Sequence, residues 1–241
     1  MIEMNVDYEK LREIPKEINE KFFLANDDKN LEINNESFSE VYLIKLEDGE
    51  KRDINFDFKQ FNGVAKVILL IGEGCNVNIR KIVRATGENV ASIDFLTLVD
   101  KNSKVNMNDL VFSKDYSRIE FFERVFSLRE GNNIKINAKA ISKDKSKTFF
   151  EAFAFVDKNS GKSKFNIKEE GIIFDNSKLE FLPKLKIENN EVTAGHSAFI
   201  KKFNENDLFY LMSRGLNLDG AQKLLLEGFL SEFEIGVDEI Y

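Results

Sequence analysis

From residue 41 to residue 200 apolar side chains recur at every second position: Ile54, Phe56 and Phe58; Val77 and Ile79; Ile93 and Phe95; Ile134, Ile136, Ala138 and Ala140; Phe149, Phe153 and Phe155; Phe165 and Ile167; Leu179 and Phe181; Leu185 and Ile187. A period of two gathers one set of side chains on one face of an extended chain, so this tract predicts a long succession of strands. Turn residues punctuate it at short intervals: GEG at 72, GEN at 87, DKNS at 100, SKD at 113, EGNN at 130, DKNSG at 157, EEG at 169, DNS at 175 and ENN at 188. So many short strands suit a sandwich, a barrel or a β-solenoid. Two stretches, VILLI at 67–71 and GIIF at 171–174, are apolar on both parities, and no proline interrupts the tract before Pro183. Both features favour stacked sheets covered on more than one side, yet no clean short repeat separates a solenoid from a sandwich.

On either side of this tract the period is helical. Leu11, Ile14, Ile18, Phe22 and Phe23 recur at three- and four-residue spacing within residues 7–25, with Pro15 interrupting the middle, and a charged link runs from 26 to 40. After residue 203, Asn204 is a good N-cap, LFYLMSR fills two turns and Gly215 stands where a helix ends. A second helix is expected from Asn217 or Asp219 to Phe233. Ala221, Leu224, Leu225, Gly228, Phe229 and Phe233 lie along one face of it, widened by Leu226 and Leu230. That stripe is broader than one packing surface requires. The chain is thus expected to divide into an N-terminal helical segment with its link, 1–40, a β core, 41–203, and a C-terminal helical region, 204–241.

Composition narrows the function classes. The 35 basic against 42 acidic residues give a net charge of −7, so no general field attracts nucleic acid or anionic lipid. Much of the acidity lies near the C-terminus, where Asp219, Glu227, Glu232, Glu234, Asp238 and Glu239 face a single lysine, Lys223. Phenylalanine is abundant, 23 residues, and tryptophan is missing, which fits ring-filled packing and argues against a secreted solenoid that stacks sugars. One cysteine excludes an internal disulfide and any single-chain cysteine-ligated cluster, and points to a reducing cytoplasmic setting. The N-terminus has no apolar leader core, and VILLI is far too short to span a bilayer.

Few motifs carry chemistry. Gly161-Lys162-Ser163 ends like a phosphate-binding loop, but Val156 occupies the position of its first glycine and a strand pattern follows, so it reads as a turn. Gly72 and Gly74 lack the third glycine and the helix of a dinucleotide fingerprint. Cys75, beside them, has no basic neighbour to lower its pKa and reads first as a small apolar corner residue, with sulfur handling as the second reading. His196 is the single histidine, lying just before the change from β to helical period, without a serine or cysteine nucleophile signature nearby.

The sequence PKLKIENNEVTAGHSAFIKKFNENDLFYLMSRGLNLDGAQKLLLEGFLSEF, Pro183 to Phe233, resembles the C-terminal core of the SufB/SufD family, the scaffold proteins of SUF-type iron–sulfur cluster assembly. The elements that carry the likeness are Pro183, Leu185 and Ile187, Val192, Gly195-His196-Ser197-Ala198, Glu205 with Leu208-Phe209-Tyr210, Ser213-Arg214-Gly215, Ala221 and Gly228-Phe229. The resemblance implies a mainly β protein, a right-handed parallel β-helix flanked by helices. It implies a non-enzymatic scaffold that dimerises through that β-helix, as a homodimer or with a SufB/SufD-like partner, near Val192–His196. It further implies that a SufC-type ABC ATPase binds the C-terminal helices, for which Leu226, Phe229 and Leu230 are the candidate anchors. His196 falls where SufD-type chains carry the histidine of the interface cluster site, and Glu205 where SufB-type chains carry a glutamate implicated in assembly. His196 is therefore the candidate iron ligand, Glu205 its candidate helper, and any iron–sulfur cluster would be transient and shared at the dimer interface, not tightly bound. The family's cysteine two positions before the histidine is Ala194 here. An adaptor that binds the ATPase without cluster chemistry is the alternative.

Overall fold

The structure, a computed structural model, describes residues 31–233 and 235–239. The helical pattern expected at 7–25 lies outside the described residues. Eleven strands follow one another: β1 (Leu31–Leu46), β2 (Lys51–Ile71), β3 (Asn76–Ala85), β4 (Val90–Val99), β5 (Lys104–Ser113), β6 (Arg118–Ser127), β7 (Asn133–Ser142), β8 (Lys147–Val156), β9 (Lys164–Ile173), β10 (Lys178–Ile187) and β11 (Thr193–Lys201). Two helices close the chain, α1 (Glu205–Ser213) and α2 (Leu218–Leu230), the latter running into a 3₁₀ turn over Ser231–Phe233. β1 begins at Leu31, inside the stretch read from sequence as a link.

All pairings are parallel; β1 lies along β2 and β2 along β3, and from β3 onward each strand pairs not with its neighbour in sequence but with the next but one. The chain is therefore a parallel β-solenoid. One face is built of β3, β5, β7, β9 and β11, the other of β4, β6, β8 and β10. β2 bends to serve both, its residues Lys51–Phe58 pairing with β3 and Gly63–Ile71 with β4. The bend uses positive φ at Gln60 and Gly63. Asn76, Lys104, Asn133, Lys164 and Thr193 stand in one column, so each coil repeats the register of the one before.

The corners are held by side chains that do the work of backbone. Asp115, Asp144 and Asp175 take left-handed φ values and form a ladder: Asp115 accepts from the Gly87 N–H at 2.9 Å, Asp144 from the Asp115 N–H at 3.3 Å, and Asp175 from the Asp144 N–H at 3.3 Å. Aspartate tolerates this conformation and bonds locally, which is why turn chemistry marked the Asp115 and Asp175 corners in the sequence; the Asp144 corner was not among the turns read there. Inside the corners, buried Ser113, Ser142, Ser146 and Thr148 satisfy one another.

Alternation sends one parity of every strand into the solenoid. That core holds Phe56, Phe58, Phe95, Phe121 and Phe150, joined in a ring-to-ring chain with centroids 4.8–6.2 Å apart. Two further clusters lie on the outer faces. Ile82, Leu110, Phe112, Ile141 and Ile172 point outward from the β3–β9 face and pack against Leu226, Leu230 and Phe233 of the C-terminal segment. Leu43, Leu70 and Leu98 form the other, on the opposite sheet. Both explain why VILLI and GIIF are apolar on both parities. In β8 the inward residues are Phe150, Ala152 and Ala154, whereas Phe149, Phe153 and Phe155 belong to an outer ladder with Phe122 and Phe126.

Candidate functional site

The last coil has no successor. β10 and β11 end the strand order, so each leaves one row of backbone groups unpaired, and among the described residues nothing covers the interior they frame. Leu179, Phe181, Leu185, Val192 and Ala194 reach back only partly buried onto the core, and Ile187, Phe199 and Ile200 are exposed. Gly171, on the inward parity of β9, permits this arrangement: a Cβ there would lie 2.3 Å from Leu179 and 2.9 Å from Phe181. A larger residue would push β10 off the mouth.

His196 sits in this mouth. Register pairs Phe165 with Ala194, Ile167 with His196 and Glu169 with Ala198, so His196 shares the inward parity of Ala194, which packs on the core. With no further coil above it, the imidazole is exposed, and its neighbours Gly195, Ser197 and Ala198 are exposed and small. No hydrogen bond or ion pair engages the ring among the described residues.

The structure does not bring Glu205 to His196. Phe203, just before α1, packs edge-on against Phe174 at 5.1 Å, in the outer cluster beyond the β3–β9 face, so α1 starts on the outside of the sheet whose inner parity carries His196. Glu205 is exposed in the first turn of α1, where a carboxylate is favoured by the helix dipole, while the Asn204 side chain caps by accepting from the Asn206 N–H at 3.0 Å.

Cys75 is also remote. It occupies the corner before β3, four coils back from β11, a separation of about 19 Å at the ordinary strand spacing. Its thiol is buried and donates to the Glu47 carbonyl at 3.2 Å, while its N–H donates to Ser103 Oγ at 3.0 Å. Burial pushes the thiol's pKa above its ordinary value, aided by Glu50 and Asp48 and only partly offset by backbone hydrogen bonds. The thiolate that sulfur chemistry needs is disfavoured in this position.

A polar seam crosses the interior that sequence reading passed over. Lys81 on β3, Asp109 on β5 and Glu123 on β6 are wholly buried; Lys81 Nζ lies 3.1 Å from Asp109 Oδ1, forms a short ion pair with Glu123 and stands 4.6 Å from the centre of the Phe95 ring. Burial would lower the Lys81 pKa, but the two carboxylates outweigh it and hold it raised. Burial raises both carboxyls, Glu123 to about 8, with repulsion from Asp109 adding to the effect. Closer to the mouth, Glu169 is wholly buried with neither oxygen hydrogen-bonded, and burial alone lifts its pKa to about 8. The signal was present in the sequence: each of these charges interrupts the apolar parity of its strand, as Lys81 does between Ile79 and Val83.

The C-terminal helices carry a second surface. Leu226 and Leu230, expected from sequence to be open for a partner, are buried at 1% and 0% exposure against the outer β3–β9 face. Phe229 is half-buried, packed beside them. The reason lies below the helix: outward-pointing Ile82, Leu110, Ile141 and Ile172 form an apolar floor, and Lys139 donates to the Phe229 carbonyl at 2.7 Å while Arg80 donates to that of Phe233 at 3.1 Å, fixing the end of the helix on the sheet. The open apolar side chains are instead Phe209, Tyr210 and Met212 of α1, Leu216 in the connection, and Leu218 and Leu224 of α2. Phe209 is 75% exposed.

The family model described as "SUF system FeS cluster assembly, SufBD core domain" matches residues 29–229. The chain belongs to this family. SufBD relatives include an iron–sulfur cluster assembly SufBD family protein of Mycobacterium bovis, 26% identical over 134 residues that cover 55% of this chain and 16% of that protein. The corresponding protein of Mycobacterium leprae is 26% identical over the same length, 15% of its own. That of Staphylococcus saprophyticus is 31% identical over 99 residues, 41% of this chain and 21% of the relative. The matches thus span only a small fraction of these curated relatives.

The family is one of iron–sulfur cluster assembly. Among the described residues no group of three or more His, Cys, Asp or Glu side chains is placed to hold a metal ion. With His196 at the mouth and Cys75 buried in a distant corner, the described residues of one copy bring no complete ligand set for a cluster together. No helix among the described residues is long and apolar enough to cross a membrane.

Proposed function

We propose that this SufBD chain is a scaffold component of a SUF-type assembly system: a second SufB/SufD-like chain, identical or homologous, closes the solenoid mouth, and a SufC-type ABC ATPase docks on the helices. The observation that carries the reading is the uncapped last coil, where two free strand edges and a half-buried apolar interior surround His196. Such an end favours addition of strands from another chain, since unpaired edges and open apolar surface are both relieved by it. His196 is then an iron ligand at the junction, because a neutral imidazole suits iron and its small neighbours leave room for a partner's ligands. Glu205, exposed and away from the ring, serves that site only through a group on the partner. Cys75 retains the sulfur-handling role only if its corner opens. In the cytoplasm the cluster would be transient, held between chains.

The buried position of Cys75 favours a second reading, an adaptor that brings the ATPase to a SufB-like partner without binding a cluster itself. The test is His196→Ala in cells that depend on this system. The scaffold reading expects lost iron–sulfur enzyme activity at normal protein level, with dimer and ATPase binding retained. Normal enzyme activity in that variant overturns it and leaves the adaptor.

A further inference from the structure

Glu169 is a carboxyl that the fold does not use. The other carboxyls of the interior seam share the Lys81 ammonium, but Glu169 is wholly buried with no hydrogen-bond partner for either oxygen among the described residues. Its column neighbours are Ala138 on one side and Ala198 on the other, small residues that give it no hydrogen bond. Burying a polar group unpaired is costly, so its presence calls for a donor that engages it in the working state.

The register supplies one. Glu169 pairs with Ala198 and Ile167 with His196, which places His196 one strand over and two residues along from Glu169, on the same inward face. Diagonal neighbours of this kind stand about 7–8 Å apart at Cα, within the combined reach of a glutamate and a histidine. The two groups also divide the mouth between them, Glu169 below and the exposed ring of His196 above.

We propose that Glu169 is the positioning residue of His196: when a metal ion binds one imidazole nitrogen from the partner side, the other nitrogen's N–H donates inward to the Glu169 carboxylate. Ligating histidines commonly hold such an outer partner, which selects the tautomer and fixes the ring plane. The inference rests on the reading of His196 as a metal ligand. It differs from the sequence expectation in placing the helper carboxylate in the solenoid interior and not at the start of α1.

The test uses the full 241-residue chain and Co(II) as the probe. Glu169→Gln keeps a hydrogen-bond acceptor of the same shape; Glu169→Met removes every polar atom in a mainly apolar setting. The expected order of Co(II) affinity is wild type, then Gln, then Met, with Met weaker by about 10–100-fold. Because the chain has one histidine, its ring nitrogens give a single set of NMR signals, and the metal-bound form should show one tautomer in wild type and a mixture in Glu169→Met. Unchanged Co(II) affinity in Glu169→Met, with fold and oligomeric state intact, overturns the proposal. If His196→Ala abolishes binding while Glu169→Met does not, only the role of Glu169 falls. If His196→Ala binds Co(II) as wild type does, the ligand reading of His196 falls and this one with it.

Discussion

Lys81, Asp109 and Glu123 place three ionisable groups where the solenoid otherwise stacks Phe, Ile and Val, and their number is unequal: two carboxyls against one ammonium. In water-free surroundings two carboxylates this close do not both ionise, so the raised pKa values of Asp109 and Glu123 amount to one proton retained between them. The consequence for stability has a definite sign. A carboxyl whose folded pKa is above its unfolded value binds its proton more tightly when folded, so stability is full below the unfolded value of 4.5 and is lost as pH rises toward about 8. The slope is at most about 1.4 kcal/mol per pH unit. Glu123→Gln keeps a hydrogen-bonding side chain beside Lys81 and leaves a matched Lys81–Asp109 pair. Denaturant titrations at several pH values should find the variant close to wild type near pH 5 and more stable than it by a few kcal/mol, on the order of the shift itself, near pH 8. An unchanged difference across that range would mean that Glu123 is ionised throughout.

At the scale of elements, α2 is the part where reading the pattern and building the fold part company. The sequence shows Leu224, Leu225, Leu226, Phe229 and Leu230 as one broad stripe, and nothing in a stripe says which edge meets the sheet. The choice is made by residues far away, the outward Ile82, Leu110, Ile141 and Ile172, and by Lys139 and Arg80 beneath the helix end. The strands were legible because alternation and turn residues are local, and the Asp115 and Asp175 corners advertised themselves as turns. In β8 alternation alone leaves the inward face open: Phe149, Phe153 and Phe155 alternate well, yet the inward set is Phe150, Ala152 and Ala154, which puts one ring and two small residues beside Phe121 and Phe181. Glu169 was passed over because Glu169-Glu170-Gly171 reads as a turn, whereas it lies inside β9 with Glu169 on the inward parity. The helices carry their own prediction. Leu226→Asp and Leu230→Asp each bury a charge in the outer core and should destabilise the fold by about 3 kcal/mol or more, whereas Phe209→Asp and Leu224→Asp, at open positions, should leave melting nearly unchanged and abolish copurification with a SufC-type ATPase. If the open-face variants still copurify, the dock lies elsewhere.

For the whole molecule the governing fact is that a solenoid has ends. Along its length every coil covers the one before, burying apolar residues and pairing backbone, but among the described residues β10 and β11 inherit no such cover. The isolated chain would therefore expose two strand edges beside Ile187, Phe199 and Ile200 and leave the inner faces of Leu179, Phe181 and Leu185 only half-buried. A second copy applied mouth to mouth relieves all of these at once and sets two His196 rings across one junction, which is how a chain with one histidine and one cysteine could contribute to a larger ligand set. Ala198 tests this geometry because it is exposed, lies on the inward parity and supports no part of the core. Ala198→Glu puts a charge into the centre of the proposed junction, where its column neighbour is the Glu169 carboxyl and not a counter-charge. A charge buried there without a partner costs roughly 2–5 kcal/mol, equivalent to at least about a 30-fold weaker association. Light scattering at micromolar concentration should give the mass of two chains for wild type and a shift toward 27.8 kDa for Ala198→Glu, with circular dichroism unaltered. A wild-type chain that scatters as a monomer across that range would show that it does not pair with itself at the mouth; a variant that stays dimeric would move the interface away from the mouth altogether.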